Sequence, residues 1–316
     1  MTAHAHPIGT PYQLAGDQIR EALQDLEVSH DRFAQPPWRR LADATGPLFP
    51  GSVWVVGARF GQGKTTFLLH WFSALFREQR PVLYIATETP PRRLRRQLAA
   101  MHCDLDKRSV LRNQWGNCSP VLSAEEAKDA VIQDIKQQDS WGDYGAIFHA
   151  PVLDRGSLND ATRVARGLGA QIVLLDHVNE FRTGPDSARE LGQLASDMVR
   201  MAEQLKACVI VAQQVTPWGR DHANPLTEFT QPPLSALRGS QGFAQVAQVV
   251  LMLHRARRAD ATAEDIRLVA IGQKQARDLI EPGIMCCSVL KDRDGDMAGR
   301  TVRLRVHRTG WISEEA

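Results

Sequence analysis

The amino-acid sequence predicts an α/β fold with a mostly parallel sheet, helices on both faces and a C-terminal β-hairpin. Short apolar runs alternate with helical patterns, which is typical of a parallel sheet that helices cover on both sides. The six runs that indicate strands are Val53–Val56, Val82–Ala86, Ala146–His149, Ile172–Leu175, Val209–Ala212 and Val249–Leu253. Near the end of the chain, Ile284–Leu290 and Thr301–Val306 flank a turn at residues 294–295, as the strands of a hairpin do.

Helix signals separate several of these strands. Segments 123–126 and 157–160 both resemble capping boxes, in which the first and fourth residues bond each other's backbone N–H, so helices are expected to begin there. Between residues 188 and 206, apolar side chains recur at helical spacing, which predicts a long amphipathic helix. Residues 257–283 fit neither pattern and indicate an insertion before the hairpin.

The N-terminal part of the chain is predicted to lie outside the main domain. Residues 1–16 have the composition of a disordered tail. Residues 17–35 are predicted to form a linker helix and a connector, and the helix carries its apolar residues on one stripe. That stripe has to be buried against its own domain or against a neighbouring subunit, and the sequence leaves both open. Residues 36–316 then form the folded domain.

Composition narrows the class of protein. The chain has 316 residues, of which 43% are hydrophobic and 23% charged, which suits one large globular domain. Its formal net charge is +2, so a polyanionic partner has to be bound by a local site. The five cysteines include no Cys-x-x-Cys pair, which argues against a zinc ribbon or a disulfide scaffold. No signal-type core or transmembrane-length stretch occurs, so a soluble protein without a membrane partner is expected.

A glycine-rich segment after the first strand, residues 57–66, has the pattern of a phosphate-binding loop. Its order of strand, glycine-rich turn, Gly-Lys-Thr and helix is the one that such a loop requires. Gly61 and Gly63 let backbone N–H groups approach a phosphate, and the helix N-terminus adds partial positive charge. Lys64 is expected to reach the β- and γ-phosphates of ATP or another NTP, and the Thr65 hydroxyl to hold Mg²⁺. The other loop residues assigned to the nucleotide are Arg59, Gln62 and Thr66.

Polar side chains follow three of the predicted strands. Glu88, Asp176 and Gln214 come after the second, fourth and fifth strands, so we expect them on the rim that carries the phosphate-binding loop. Asp176 suits an Mg²⁺ ligand, and Glu88 suits a general base that polarises the attacking water. The alternative for Glu88 is a carboxylate that complements the dipole of the following helix. Gln214 suits a γ-phosphate sensor, although its neighbour Gln213 leaves the register open.

Two later segments suggest contacts beyond a single nucleotide site. A glycine-rich loop carries Arg238, Gly239 and Ser240, whose amides and cation suit nucleic-acid phosphates; a plain surface loop is the alternative. Lys291 and Arg293 lie on one strand face before the hairpin turn. Such a pair could reach a γ-phosphate in an adjacent subunit, as an arginine finger does, or could be solvated strand charges.

In their order, these motifs resemble the helicase domain of DnaB-type replicative helicases and, more closely, the helicase half of phage primase-helicases. Residues 57–66 are similar to the family's Gly-Ala-Arg…Gly-Lys-Thr-Thr loop, which commonly has alanine where Ala58 replaces the usual glycine. The further likenesses are Glu-x-Pro at 88–90, Leu-Asp-His at 175–177, Leu-Arg-Gly-Ser at 237–240 and Lys-x-Arg at 291–293. The resemblance covers residues 36–313.

The resemblance implies a RecA-like P-loop NTPase core that hydrolyses ATP between the subunits of a hexameric ring and moves along single-stranded DNA. The roles that it assigns are catalysis for Glu88, Gln214, Lys291 and Arg293 and DNA contact for Arg238, Gly239 and Ser240. Forked DNA in replication is then the substrate, in the cytoplasm of a bacterial or phage-infected cell. Few residues precede the phosphate-binding loop, so a primase or loader is expected to be a separate protein.

Two other functions are compatible with the same motifs. A recombination or repair ATPase shares the fold and forms filaments without unwinding DNA, but the loop at 57–66 lacks that group's usual intervening residues. A nucleotide-switched regulatory ATPase would bind no DNA. Against it, Glu88, Asp176 and Arg293 together indicate turnover.

Overall fold

The computed structural model of the chain describes residues 33–138, 142–178, 187–215, 230–237, 241–293, 295 and 297–315. Four predicted features lie outside these residues in whole or in part. They are the N-terminal tail, most of the linker helix and connector, the loop of Arg238, Gly239 and Ser240, and the hairpin turn.

One sheet contains nine strands in the described part of the chain. They are β1 (Val53–Ala58), β2 (Val82–Ala86), β3 (Gly145–His149), β4 (Ile172–Val178), β5 (Cys208–Gln214), β6 (Val249–Arg257), β7 (Ile280–Asp292), β8 (Thr301–Val306) and β9 (Ile312–Glu314). Their order is β3-β2-β4-β5-β1-β6-β7-β8-β9; the strands from β3 to β6 are parallel and the last three pair antiparallel. The predicted parallel sheet with a C-terminal hairpin is therefore confirmed, and β9 adds an unpredicted short strand.

Helices cover this sheet on both faces. The described helices are α1 (Arg39–Thr45), α2 (Lys64–Arg77), α3 (Pro91–His102), α4 (Lys107–Leu111), α5 (Ala124–Gln137), α6 (Arg155–Leu168), α7 (Ser187–Leu205), α8 (Gln241–Val246) and α9 (Ala263–Ala270). Short 3₁₀ turns occur at Trp115–Asn117, Leu234–Ala236 and Ala276–Leu279. Within the described residues, no helix combines the length and the apolar character needed to cross a membrane.

One of the two predicted capping boxes is correct and the other is displaced. Ser123 caps α5 and exchanges hydrogen bonds with Glu126, as the sequence predicts. For α6, however, the cap is Asp154, whose carboxylate accepts a hydrogen bond from the backbone N–H of Ser157 at 2.8 Å. The predicted start at Ser157 was wrong because an aspartate three residues earlier is an equally good cap, and the serine hydroxyl takes the reciprocal position.

The segment predicted as an insertion is shorter than expected. Strand β6 continues to Arg257 and β7 begins at Ile280, so residues 258–279 form the connection between them. This connection has a small core of its own, formed by Val269, Ala276 and Leu279.

Alternate residues of β1 enter two hydrophobic cores on opposite faces of the sheet. Trp54 and Val56 pack with α1, α2 and α3, whereas Val53 and Val55 pack with α6, α7 and α8. This alternation follows from the two-residue period of a strand. Because β1 lies between β5 and β6, the loop that follows it emerges from the interior of the parallel part of the sheet and not from its edge.

Aromatic contacts join the first described segment to the last strand. The Trp38 ring stacks on His70 with 5.1 Å between centroids, and its Nε1–H donates to the Ile312 carbonyl at 3.2 Å. His70 Nδ1 accepts a hydrogen bond from the Ile312 N–H at 3.2 Å. The His70 ring also packs edge-to-face against the Trp311 ring. Since Nδ1 is an acceptor, the His70 ring is neutral in the folded protein.

His70 is expected to make the stability of the fold pH-dependent. Burial lowers its pKa from 6.5 to about 3, so below pH 6.5 the unfolded chain takes up a proton that the folded chain does not. As the pH falls from 6.5 towards 3, His70 should lower the free energy of unfolding by about 1.4 kcal/mol per pH unit. His70→Gln keeps an acceptor but does not titrate, so urea midpoints of this variant should decline less between pH 6.5 and 4. Equal slopes for the two proteins would contradict this role.

Candidate nucleotide site

The loop between β1 and α2 has the backbone geometry of a phosphate-binding loop. Gly61 and Gly63 have φ values of +71° and +95°, which side chains with a Cβ rarely adopt. Helix α2 begins directly at Lys64, so the positive end of a 14-residue helix lies at the loop. A triphosphate placed there would meet backbone N–H groups and partial positive charge.

Lys64 folds back over the loop. Its Nζ donates to the carbonyl oxygens of Ala58 at 3.1 Å and Arg59 at 3.3 Å. Burial lowers the pKa of Lys64 to about 8, and the nearby carboxylates of Asp176 and Glu88 oppose that shift. The lysine and both predicted carboxylates therefore belong to one site.

Asp176 lies within β4 and not after it, because the strand extends to Val178. The sequence prediction ended this strand at Leu175, where the apolar run ends. Asp176 is only 3% exposed, and the Tyr84 hydroxyl donates to its Oδ2 at 2.6 Å. Its Oδ1 is buried and has no hydrogen-bond partner among the described residues. A buried, unpartnered carboxylate oxygen in the same site as Lys64 suits a hard cation such as Mg²⁺.

Glu88 follows β2 and is held near Asp176 by the pairing of β2 with β4. The Thr87 N–H donates to the Asp176 carbonyl at 2.9 Å, which continues the ladder to the residue before Glu88. Helix α3 begins at Pro91 without a side-chain cap, so Glu88 does not cap it. The helix-dipole alternative does not require a capping bond, so the catalytic role of Glu88 stays a prediction.

The sheet register shows which of the two neighbouring glutamines, Gln213 or Gln214, lies on the side of the phosphate-binding loop. Gln214 is the last residue of β5 and pairs with Ala58, the last residue of β1. Ala58 and Ala212 both belong to the core beneath α2, so the two-residue period places Gln214 on that face of the sheet. Gln213 is fully buried on the other face. Of the two amides, Gln214 is therefore the one on the loop side.

Three side chains at this site were missed by the sequence analysis. The Tyr84 hydroxyl donates a hydrogen bond to Asp176, and His177 lies beside Glu88. The Lys107 Nζ donates a hydrogen bond to the Thr66 hydroxyl at 2.8 Å. Burial, together with nearby Arg108 and Arg255, lowers the pKa of Lys107 to about 8. Tyr84 lies inside an apolar strand and Lys107 on a distant short helix, so neither has a local motif that could reveal it.

Lys291 and Arg293 lie at the other end of the sheet. Strand β7 is antiparallel to β6, and Lys291 pairs with Val250 near the start of that strand. The phosphate-binding loop adjoins the opposite end, where β6 pairs Leu253 with Ala58. The structure therefore does not bring the two cations to the loop of their own chain.

Both cations donate hydrogen bonds to the end of helix α8. The Lys291 Nζ donates to the carbonyl oxygens of Ala244, Gln245 and Ala247 at 2.8, 3.1 and 2.7 Å. The Arg293 guanidinium donates to the Gln245 carbonyl at 2.7 Å. Cations at a helix C-terminus stabilise its unpaired carbonyl groups. The predicted DNA residues Arg238, Gly239 and Ser240 precede this helix and lie outside the described residues.

Residues 36–309 match the family model described as DnaB-like helicase C terminal domain. The chain is 20% identical to the replicative DNA helicase DnaB of Leifsonia xyli subsp. xyli over 256 residues, 76% of this chain and 51% of that protein. With the replicative DNA helicase DnaB of Haemophilus influenzae it shares 21% identity over 248 residues, 74% and 49% of the two chains. The chain thus spans about half the length of these curated relatives.

Two solved structures share the fold. One is a separately solved ATPase domain, which superposes with a TM-score of 0.71 at 17% identity and covers 95% of this chain and 98% of that domain. The other is a DnaB-like replicative helicase, solved in work on its interactions with primase. It superposes with a TM-score of 0.70 at 18% identity, and the superposition covers 96% of this chain and 66% of that helicase. The predicted RecA-like architecture is therefore confirmed.

Proposed function

The chain belongs to the DnaB-like helicase C-terminal domain family, and on that premise we propose that it is an ATP-dependent DNA helicase. It moves along single-stranded DNA as a ring and unwinds duplex DNA in replication, in the cytoplasm of a bacterial or phage-infected cell. The observation that carries the proposal is the grouping of Lys64, Glu88 and Asp176 at one end of the parallel sheet. Glu88 and Asp176 lie 3.7 and 3.9 Å from the two ring nitrogens of His177, and Lys64 Nζ donates to the carbonyl oxygen of Ala58 at the end of β1.

Each residue of this site has a separate task in ATP hydrolysis. Lys64 neutralises the β- and γ-phosphates, and the Glu88 carboxylate orients and polarises the attacking water. The Thr65 hydroxyl and the unpartnered Asp176 Oδ1 are the groups that would hold Mg²⁺. Mg²⁺ held there would offset the negative charge that develops on the phosphate oxygens. Gln214 senses the γ-phosphate, and the remaining phosphate contacts come from Arg59, Gly61, Gln62, Gly63 and Thr66.

The position of Lys291 and Arg293 supports a site that two subunits complete together. A strand rises about 3.3 Å per residue, so the pairing of Asp292 with Val249 lies about 13 Å from the level of Ala58. Both cations are therefore remote from their own phosphate-binding loop. In the single chain they donate hydrogen bonds to the end of α8, which they would exchange for a neighbour's phosphate. We propose that Arg293 is the arginine finger, with Lys291 beside it, in a homo-oligomeric ring that is a hexamer.

DNA binding is assigned to a local site, because the net charge of +2 provides little general attraction for a polyanion. Arg238, Gly239 and Ser240 are the proposed contacts to the phosphate backbone of a single strand. Such binding depends little on base identity and weakens as salt rises. A primase or a loader is a further proposed partner.

Strand separation on a forked DNA substrate with ATP and Mg²⁺ tests this function. We expect unwinding by the wild-type chain and none by Lys64→Ala, since removal of the ammonium abolishes tight nucleotide binding. Filaments on DNA without strand separation would favour a recombination or repair ATPase instead. ATP turnover that DNA does not change would favour a nucleotide-switched regulator.

A further inference from the structure

His177 lies between the two carboxylates of the ATP site. It is 6% exposed, with Nε2 at 3.7 Å from Glu88 Oε1 and Nδ1 at 3.9 Å from Asp176 Oδ1. Nε2 is buried and has no hydrogen-bond partner among the described residues. A buried polar nitrogen without a hydrogen-bond partner is unfavourable, so we expect Nε2 to have an acceptor nearby in the working state of the site.

The His177 imidazole is enclosed, whereas the Glu88 carboxylate is half-exposed. The Thr87 hydroxyl accepts a hydrogen bond from the His177 N–H at 3.0 Å and donates to the His177 carbonyl at 2.8 Å. Strand β4 is buried along its whole length, which leaves the ring little freedom. The Glu88 side chain is 49% exposed. A movement of its Oε1 by about 0.8 Å would give a normal N–H···O distance of about 2.9 Å.

We propose that His177 is a positioning residue for Glu88. Its Nε2–H donates to Oε1 and selects one rotamer of the glutamate, so that Oε2 faces the attacking water. With the proton on Nε2, Nδ1 carries none and does not compete for Asp176 Oδ1, which stays free for a cation. The inference rests on the proposed ATP hydrolysis and adds to it a residue that acts through the general base.

Two substitutions separate hydrogen bonding from packing. His177→Phe keeps a ring of similar size but cannot donate, whereas His177→Gln keeps an N–H donor. A general base contributes about 10²- to 10⁴-fold, and loss of its orientation should remove part of that. We therefore expect His177→Phe to lower kcat for ATP about 10- to 100-fold, with KM, nucleotide affinity and thermal midpoint unchanged. His177→Gln should recover most of the rate.

A double variant tests whether His177 acts through Glu88. In Glu88→Asp the carboxylate is one methylene shorter and no longer reaches Nε2, so adding His177→Phe should change kcat less than twofold. Losses that multiply in the double variant, or equal losses in both His177 variants, would overturn the inference. So would a wild-type rate in His177→Phe, which would leave the proposed function intact. A wild-type chain without ATPase activity would overturn both.

Discussion

ATP turnover is expected to fall by about 10³- to 10⁵-fold when Arg293 is replaced with alanine, while ATP binding persists. Turnover should fall because Arg293 is the proposed arginine finger for a neighbouring subunit. Binding should persist because Arg293 lies at the end of the sheet remote from its own phosphate-binding loop. Removal of its guanidinium therefore leaves Lys64 and the loop amides of the same chain in place. Steady-state ATPase rates and equilibrium nucleotide binding measure the two effects. Arg300→Ala, which removes an exposed arginine of the same hairpin, is the matched control and should retain turnover.

Mixing two inactive variants tests whether the site is shared between subunits. Arg293→Ala and Lys64→Ala damage opposite halves of the same proposed interface. Mixed assemblies contain some interfaces in which an intact Lys64 faces an intact Arg293, so part of the ATPase activity should return after subunit exchange. A monomeric chain with full turnover would contradict a site completed by a neighbour.

Glu88→Gln is expected to remove nearly all turnover by a different route. The amide keeps the size of the side chain but cannot act as a base, and a general base contributes about 10²- to 10⁴-fold to such reactions. Nucleotide affinity should stay close to that of the wild type, because the proposed role of Glu88 is to act on the attacking water and not to contact phosphate. ATPase rates compared with nucleotide-binding titrations measure this separation. Glu125→Gln, an exposed carboxylate on α5, provides the control; a wild-type rate in Glu88→Gln would show that Glu88 is not the base.

The central strands were predictable because their signals are local. The run Val82–Ala86 coincides with β2 residue for residue. In the phosphate-binding loop, Gly61 and Gly63 have positive φ values that residues with a Cβ rarely adopt. The ends of β4 and β5 were less predictable. The apolar run stops at Leu175, but Val178 still pairs with Gln213 and continues the sheet past Asp176. Asp176 lies inside β4, where the Tyr84 hydroxyl donates a hydrogen bond to its Oδ2 and the Thr87 hydroxyl donates to its backbone carbonyl.

The auxiliary residues of the site were not predictable from spacing. Lys107 is 41 positions from its hydrogen-bond partner Thr66, and Tyr84 is 92 positions from Asp176. Contacts between residues so far apart in the sequence depend on how helices and strands pack, and they cannot be predicted from a single sequence. His177 is a different case, since the Leu-Asp-His motif was visible, but its closeness to Glu88 arises from the pairing of β2 with β4.

The hydrogen bonds from Lys291 to α8 have a thermodynamic consequence. An ammonium has three N–H donors, and Lys291 gives all three to carbonyl oxygens at the end of this helix. It must release at least one of them before it can bind a neighbour's phosphate. The free energy of loosening α8 is then part of the free energy of engaging that phosphate. Helix α8 directly follows the proposed DNA contacts, so a coupling through this helix would be reciprocal: DNA and the neighbour's nucleotide would change each other's affinity by the same factor.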